Sequence, residues 1–575
     1  MNNYKSKLVV ALLSLEAAGA SAQAFMEEVL VSAQRRVTDL QSTAAAISAL
    51  SSDDLVSRSI DDIEDLGISS PSMNVALFQG EAQIYIRGIG YSGIIGGSDS
   101  STALHQDGVY LSRSSAAVPA FFDVDRVEVI RGPQGTLYGR NATGGSVNVI
   151  TKGGTDEWSA DASLLLGDYS RYRVFGAVSG PLSDKAQFRL AFQTERQDGY
   201  TTLSRPVTDP LGGGSVESDV ENTYEFMVRG TLDLQPTDTL SISLKADYYE
   251  ADDQNSVWLY FNPGTGTNPF FRNYLQERGG EVPANPLSRR QDSDLPHFNK
   301  PRIYGATARV DWDIGDYTLT SITAYKHTNP LNRNDLDATG AFGVDQLREE
   351  DHDQFSQEFQ LASPAENRLN WILGLYYFSE ENDIRNEYFL PFADEQFGFP
   401  SDDECCLLML NGRSETEAVA VFGEATYRLT DRLDVVLGMR YSDETRDGDN
   451  AVRFLNFPSD VLDNVAEFDE ASFDDFTPKL GLNYTINDDI FAYGSVSQGF
   501  KAGGFNVGSY QNTPFDPEQI TAYEVGLKTE LAGGRLRLNS AAFMYDYEDY
   551  QFQDVENNNT VIRNAAEADI RGLEI

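Results

Sequence analysis

From about residue 158 onward the chain alternates apolar and polar positions with a period of two, over runs of ten residues or more. Val419, Val421, Gly423, Ala425, Tyr427 and Leu429 share one face, while Ala420, Phe422, Glu424, Thr426 and Arg428 share the other. After a Thr430-Asp431-Arg432 turn, Leu433, Val435, Leu437, Met439 and Tyr441 alternate with Asp434, Val436, Gly438, Arg440 and Ser442. Strict alternation over such lengths predicts strands with one face in lipid and the other toward a polar lumen. Similar hairpins are predicted across Asn487-Asp488-Asp489 and across Ala532-Gly533-Gly534. These short turns alternate with long polar stretches at 253–300, 381–413 and 443–473, which read as loops on the opposite side. Short turns on one side and long loops on the other are the pattern of a large antiparallel transmembrane β-barrel. A soluble sandwich does not keep strands this long. The count reaches about sixteen strands, the last being Ile570 to Ile575, whereas plugged barrels run to about 22. An open sheet would leave unpaired edges in lipid. The expectation is therefore a chain lacking about six strands, with a barrel region at 158–575 that is incomplete.

Residues 38–152 have another texture: short helical and strand signals between Gly-rich turns, as in a compact α+β domain. Ser51-Ser52-Asp53-Asp54 before Leu55 predicts a helix start, and Asp61 to Leu66 a second short helix. Strands are expected at Ile84-Tyr85-Ile86, Val127 to Ile130 and Ser146 to Thr151. At the N-terminus, Lys5 and Lys7, the apolar run Leu8 to Leu15 and Ala20-Ser21-Ala22 form a secretory signal at 1–22, with Ala22-Gln23-Ala24 as a rival cleavage site.

Charge and cysteine content narrow the function. The 89 acidic and 44 basic side chains give a net charge of −45, which repels nucleic acid. Cys405 and Cys406 are adjacent and are the only cysteines. They cannot form a disulfide framework or a zinc site, and a vicinal disulfide is an open alternative. His105, His297, His327 and His352 are scattered. No nucleophile–base set, metal cluster or resident cofactor is expected, so no enzyme is read here.

Gln134-Gly135-Thr136-Leu137-Tyr138-Gly139-Arg140-Asn141-Ala142-Thr143-Gly144-Gly145 leads into Ser146-Val147-Asn148-Val149-Ile150-Thr151-Lys152. This run, with Val127-Glu128-Val129-Ile130-Arg131-Gly132-Pro133 before it, closely resembles the plug signature of TonB-dependent outer-membrane receptors. Ile86-Arg87-Gly88 and His105-Gln106-Asp107-Gly108-Val109-Tyr110 fit the same pattern. A phosphate-binding loop is the competing reading of the glycines, but it requires Gly-Lys-Ser/Thr in a βαβ context. The resemblance implies an N-terminal plug, 38–152, inside the barrel lumen. It also implies that Glu28, Val29, Leu30, Val31, Ser32 and Ala33, within 27–36, are the TonB box, a short strand that pairs with a periplasmic partner.

The resemblance further implies a plug–wall lock of Arg87 and Arg131 with Glu524 and Glu574. Alternation agrees independently, because Glu524 lies between outward Tyr523 and Val525, and Glu574 between Leu573 and Ile575. Plug apices fall near Phe78–Gln79, Gly90–Ser92 and Arg113–Ser115, so Phe78, Gln79, Tyr91 and Arg113 are candidate ligand contacts. The function implied is TonB-dependent import, with TonB and its inner-membrane energising complex as partners, outer-membrane lipid around the barrel and a ferric siderophore as first cargo. Cobalamin, haem, nickel or a glycan are alternatives; a passive porin or adhesin would need neither plug nor box.

Overall fold

The computed structural model describes residues 29–575 apart from 33, 92, 94–95, 204–206, 209–214, 217–218, 255–289, 292–296, 337–343, 390–406, 456–463, 510–513, 557–558 and 566. The expected signal at 1–22, the box residues Glu28 and Ala33, and Cys405 and Cys406 lie outside the described residues.

The N-terminal unit is built on a five-stranded sheet in the order Ile47–Ser51, Val124–Arg131, Gly145–Thr151, Thr102–Gln106 and Val109–Leu111. Gly145–Thr151 runs parallel to Thr102–Gln106 and antiparallel to Val124–Arg131. A second sheet joins Met73–Phe78, Glu81–Ile86 and Ile89–Gly90. Leu55, Ile63, Leu66, Met73, Ile84, Ile86, Val127, Val129, Val147 and Val149 meet between these sheets and two short helices. The helix Ser52–Ser57 starts where the sequence signal placed it. The Ser51 hydroxyl accepts from the Asp54 amide and the Asp54 carboxylate accepts from the Ser51 amide, so two otherwise orphaned donors are satisfied. The second helix is Ile63–Ser69, two residues later than expected, because the Asp62 side chain caps the amides of Glu64 and Asp65.

From Ser159 onward one antiparallel sheet of eighteen strands follows chain order. Phe298–Asn299 and Leu331–Asp335 extend Arg302–Ile314 and Tyr317–Asn329 across proline interruptions at Pro301 and Pro330, so the described residues form sixteen full strands of the wall. Its edges are Ser159–Leu166 and Glu567–Glu574. The alternation is real: Val419, Val421, Tyr427 and Leu429 face outward and are exposed, whereas Ala420 and Phe422 are buried on the lumen side. In lipid only internally satisfied backbone is tolerated, and the ladder satisfies it everywhere except along these two edges.

The long polar stretches needed correction. Leu369–Phe389, Leu407–Thr430, Leu433–Leu455 and Asn464–Asn487 are strands of 21, 24, 23 and 24 residues. Much of 381–413 and 443–473 is therefore ladder, not loop. Beyond the lipid both faces are polar, so the hydropathy pattern vanishes while the pairing continues. Charge pairing takes over from apolar contact: Arg413 reaches Glu381 on the neighbouring strand at 2.5 Å and Glu415 on its own strand at 2.7 Å.

Candidate functional site

Arg87 sits at a two-residue turn between Glu81–Ile86 and Ile89–Gly90, with φ of 53° at Arg87 and 81° at Gly88. Two successive positive φ values match the twist of a tight hairpin and drive the Arg87 side chain out of the plug. Its guanidinium grips Glu574 bidentately, Nε to Oε1 at 2.9 Å and Nη2 to Oε2 at 2.7 Å. Nη1 donates to Glu524 Oε2 at 2.6 Å and to the Tyr545 phenol oxygen. The Phe543 ring lies 3.9 Å from the guanidinium carbon. Tyr493 donates to the other Glu524 oxygen at 2.8 Å. Burial alone would lower the Arg87 pKa, but the Glu574 hydrogen bond and the surrounding negative charge hold it above the usual arginine range.

Arg131 stands 3.1 Å from Glu574 Oε2 through Nε. That Nε makes no aligned hydrogen bond, so the contact is coulombic, and Arg131 Nη1 donates instead to Ser48 within the plug at 2.8 Å. The four residues singled out in the sequence thus come together, with Arg87 at the centre and Arg131 at the side. Tyr493, Phe543 and Tyr545 were not singled out. Their lumen-facing parity on the strands carrying or flanking Glu524 was the available signal.

The signature segment makes the second plug–wall seam. Tyr138 is buried and its oxygen accepts from Asn148 Nδ2 at 2.6 Å. Gly139 has φ 84°, and a Cβ there would lie 2.6 Å from the Arg440 guanidinium of the wall. Gly145 has φ 147°, and its Cβ would lie 2.3 Å from the Ile130 carbonyl oxygen. Gly144 donates its amide to the Ser101 carbonyl at 2.8 Å. Arg140 reaches Asp99 at 2.7 Å and the wall residue Glu444 at 3.3 Å, while Arg446 of the wall also binds Asp99. Burial would raise the Asp99 pKa, but Arg140, Arg446 and Arg113 together hold it well below the carboxylate range. Asp99, Glu444 and Arg446 were missed, although Glu444 and Arg446 share the parity of Arg440.

Gly145→Ala is expected to destabilise the plug by roughly 1–3 kcal/mol, because it combines a disfavoured φ with a collision against backbone. Gly139→Ala should cost less, since the Arg440 side chain can move; urea unfolding of the two variants would rank them.

His105 is enclosed by Tyr110 and Tyr138, with ring centroids at 5.6 and 5.0 Å, and its Nδ1 lies 3.2 Å from Ser146 Oγ. Burial, then the Arg35 charge, lowers its pKa well below the ordinary 6.5. A depressed histidine pKa means the unfolded chain takes up the proton first. Its stabilising contribution is therefore complete above about pH 6.5 and is lost as pH falls below that value. The plug's urea midpoint should drop on acidification from pH 7 to 5, and His105→Gln should flatten that slope.

The N-terminal segment is docked. Leu30–Val31 pairs antiparallel with Thr38–Asp39, and the Leu40 amide donates to the Val29 carbonyl at 2.8 Å. Val31 is fully buried, and the Ser32 amide donates to Glu128 at 2.8 Å. Arg35 binds the wall at Glu358, 3.3 Å away.

Of the candidate ligand residues, Tyr91 and Arg113 line one cavity of about 30 Å³ with Ser98, Ser112, Arg348 and Glu350. That holds a water, not a metal chelate. Lys501 Nζ lies 4.5 Å from the Tyr91 ring centroid, and Arg113 is engaged by the Gly96 carbonyl at 3.1 Å and by Glu380 at 3.6 Å. Phe78 and Gln79 occupy a different hairpin apex, where Gln79 Nε2 donates to Gln346 Oε1 at 3.0 Å. On the outer wall, antiparallel pairing brings His327 together with Asp351 and Asp353, their ligand atoms within 4.8 Å. No pattern in the sequence marked this group. Asp353 there already accepts from Tyr325, and its Oδ1 lies 3.1 Å from His327 Nδ1.

Residues 39–146 match the family model of the TonB-dependent receptor plug domain, and residues 252–575 match that of the TonB-dependent receptor-like β-barrel. The pesticin receptor of Yersinia pestis is 25% identical over 488 residues, covering 83% of this chain and 63% of that protein. The ferripyoverdine receptor of Pseudomonas aeruginosa is 23% identical over 550 residues, covering 91% and 61%. The chain thus spans somewhat under two thirds of these curated relatives. Among solved structures, the ferric yersiniabactin uptake receptor FyuA of Yersinia pestis superposes with a TM-score of 0.75 at 20% identity, covering 92% of this chain and 75% of that one. The Pseudomonas aeruginosa ferripyoverdine receptor bound to ferripyoverdine gives 0.67 at 17% identity, covering 95% and 70%.

Proposed function

The chain belongs to the TonB-dependent receptors of the bacterial outer membrane, and from that premise we propose that it imports a ferric siderophore, driven by TonB and its inner-membrane energising complex. The observation that carries this reading is the Arg87 guanidinium held between Glu574 and Glu524. Leu137 and Ala142 of the plug share an apolar cluster with Phe378 and Phe422 of the wall, but at Arg87 plug and wall meet through charge-assisted hydrogen bonds, which hold firmly yet reform after a pull. Arg87, Arg131, Glu524 and Glu574 act as a lock, and Tyr138, Gly139, Arg140, Gly144 and Gly145 seat the plug beside it. The domain reading is a plug at 38–152 and a barrel from 158. The box at 28–33 is the handle. Its docked strand, Leu30–Val31, pairs with Thr38–Asp39 and so already adopts the extended form that strand addition to a partner requires. The chain is a receptor, and no catalytic step is assigned to it.

Growth of a receptor-deleted strain on a panel of iron chelates tests the cargo. Restored growth on at least one ferric chelate under iron limitation is expected. Rescue only by cobalamin, haem or a glycan would replace the siderophore reading with one of those cargoes.

A further inference from the structure

We infer that the mouth of the lumen around the plug turn Gln79–Gly80 is a subsite for an uncharged ligand rich in hydroxyl and amide groups. This rests on the import reading and narrows its cargo. The turn, with φ of 53° at Gln79 and 77° at Gly80, meets a wall patch made of carboxamides. Asn299, Asn332, Asn334 and Gln346 come from neighbouring strands in register: Asn299 opposite Asn332, and Asn334 opposite Gln346. The Asn299 side chain lies so close that a Cβ on Gly80 would be 2.7 Å from its Oδ1. Gln346 Nε2 in turn donates to Asn386 Oδ1 at 2.8 Å.

Two observations point to a ligand. Asn332 and Asn334 are fully buried, yet among the described residues neither amide nitrogen nor oxygen has a hydrogen-bond partner; Asn299 Oδ1 and Gln79 Oε1 are also unsatisfied there. A carboxamide carries two donors and an acceptor, and burying it unpaired costs free energy unless something else supplies the partners. The neighbouring cations, by contrast, are already committed. Arg348 binds Glu81 and Glu350, Arg113 binds Glu380, and Arg140 and Arg446 bind Asp99 and Glu444. The patch therefore offers amide donors and acceptors, flanked by the buried carboxylates of Asp335 and Asp345 rather than by spare positive charge, in a chain whose net charge of −45 disfavours an anion. The ligand reaches these amides by parting the Gln79–Gln346 hydrogen bond, which places its arrival directly on a plug hairpin.

The test uses cells carrying the full-length receptor and two radiolabelled probes, an uncharged ferric trihydroxamate and a trianionic ferric tricatecholate. The receptor should bind the trihydroxamate in preference. Asn332→Leu with Asn334→Leu should weaken that binding about tenfold, the loss of one or two hydrogen bonds. The same pair should leave the thermal unfolding temperature of the empty receptor unchanged or raised, because it removes unpaired polar groups; a merely structural role would lower it. Preference for the tricatecholate, or unchanged trihydroxamate binding by the double variant, as when only water fills the patch, overturns the inference and leaves the import reading standing. Energy-dependent uptake of neither probe by the unmodified receptor would also overturn this inference, while growth on the wider panel of iron chelates decides the import reading.

Discussion

Arg87→Met is expected to loosen the plug more than any other single substitution in the lock. It would leave Glu574 and Glu524 in the lumen wall, each designed to face a guanidinium whose side chain is 0% exposed. Breaking a buried pair by removing one partner costs about 3–5 kcal/mol, since the stranded charge keeps its desolvation penalty. The loss should fall toward the lower end, because Arg131 still stands near Glu574 and Tyr493 still donates to Glu524. Two consequences are measurable in cells. A bulky antibiotic excluded by the intact plug should gain entry, and the plug should become more sensitive to protease. Adding Glu524→Gln and Glu574→Gln to Arg87→Met should restore much of the barrier, because neutral amides carry no stranded charge. If the single variant excluded the antibiotic as well as the unaltered receptor, the lock would not be what holds the plug.

Val29→Pro is expected to abolish energised uptake while leaving ligand binding intact. The docked segment uses the Val29 carbonyl, which accepts from the Leu40 amide at 2.8 Å, and proline keeps that carbonyl. Proline removes the backbone N–H that an incoming strand would need. The expected result is therefore a separation: chelate binding to chilled, unenergised cells within about twofold of normal, as the retained Val29 carbonyl allows, and accumulation on warming reduced to background. Loss of both together would mean that the substitution had unseated the plug. Full accumulation would remove residues 28–33 from the transport pathway.

The sequence made the large elements legible because lipid imposes a simple rule. Where one face meets hydrocarbon, as from Val419 to Leu429, the two-residue period is explicit. Where the same strands rise past the lipid, both faces turn polar; Glu381 and Asp383 then look like loop residues although each is paired in the ladder. Parity also put Glu524 and Glu574 on the lumen side, and the resemblance supplied their partners. Parity alone could not show that Tyr545 and Phe543 close around Arg87, since that depends on which plug turn reaches which height. Asp99 was hidden for a related reason. A single aspartate in Ser98-Asp99-Ser100 has no pattern, and its three arginines come from distant segments. The ligand candidates were the least legible. Tyr91 and Arg113 share one small cavity, but Gln79 belongs to a separate carboxamide patch whose members are scattered from Gln79 to Asn386.

On the proposed reading, work done through TonB moves a ligand-loaded plug. Accumulation of a radiolabelled ferric siderophore that the receptor binds, compared in otherwise identical cells with and without TonB, tests it most directly. Equal surface binding in both strains, with internal accumulation only where TonB is present, is the expected result. Equal accumulation in the two strains would rule out TonB-driven movement of the plug and make the barrel a passive pore.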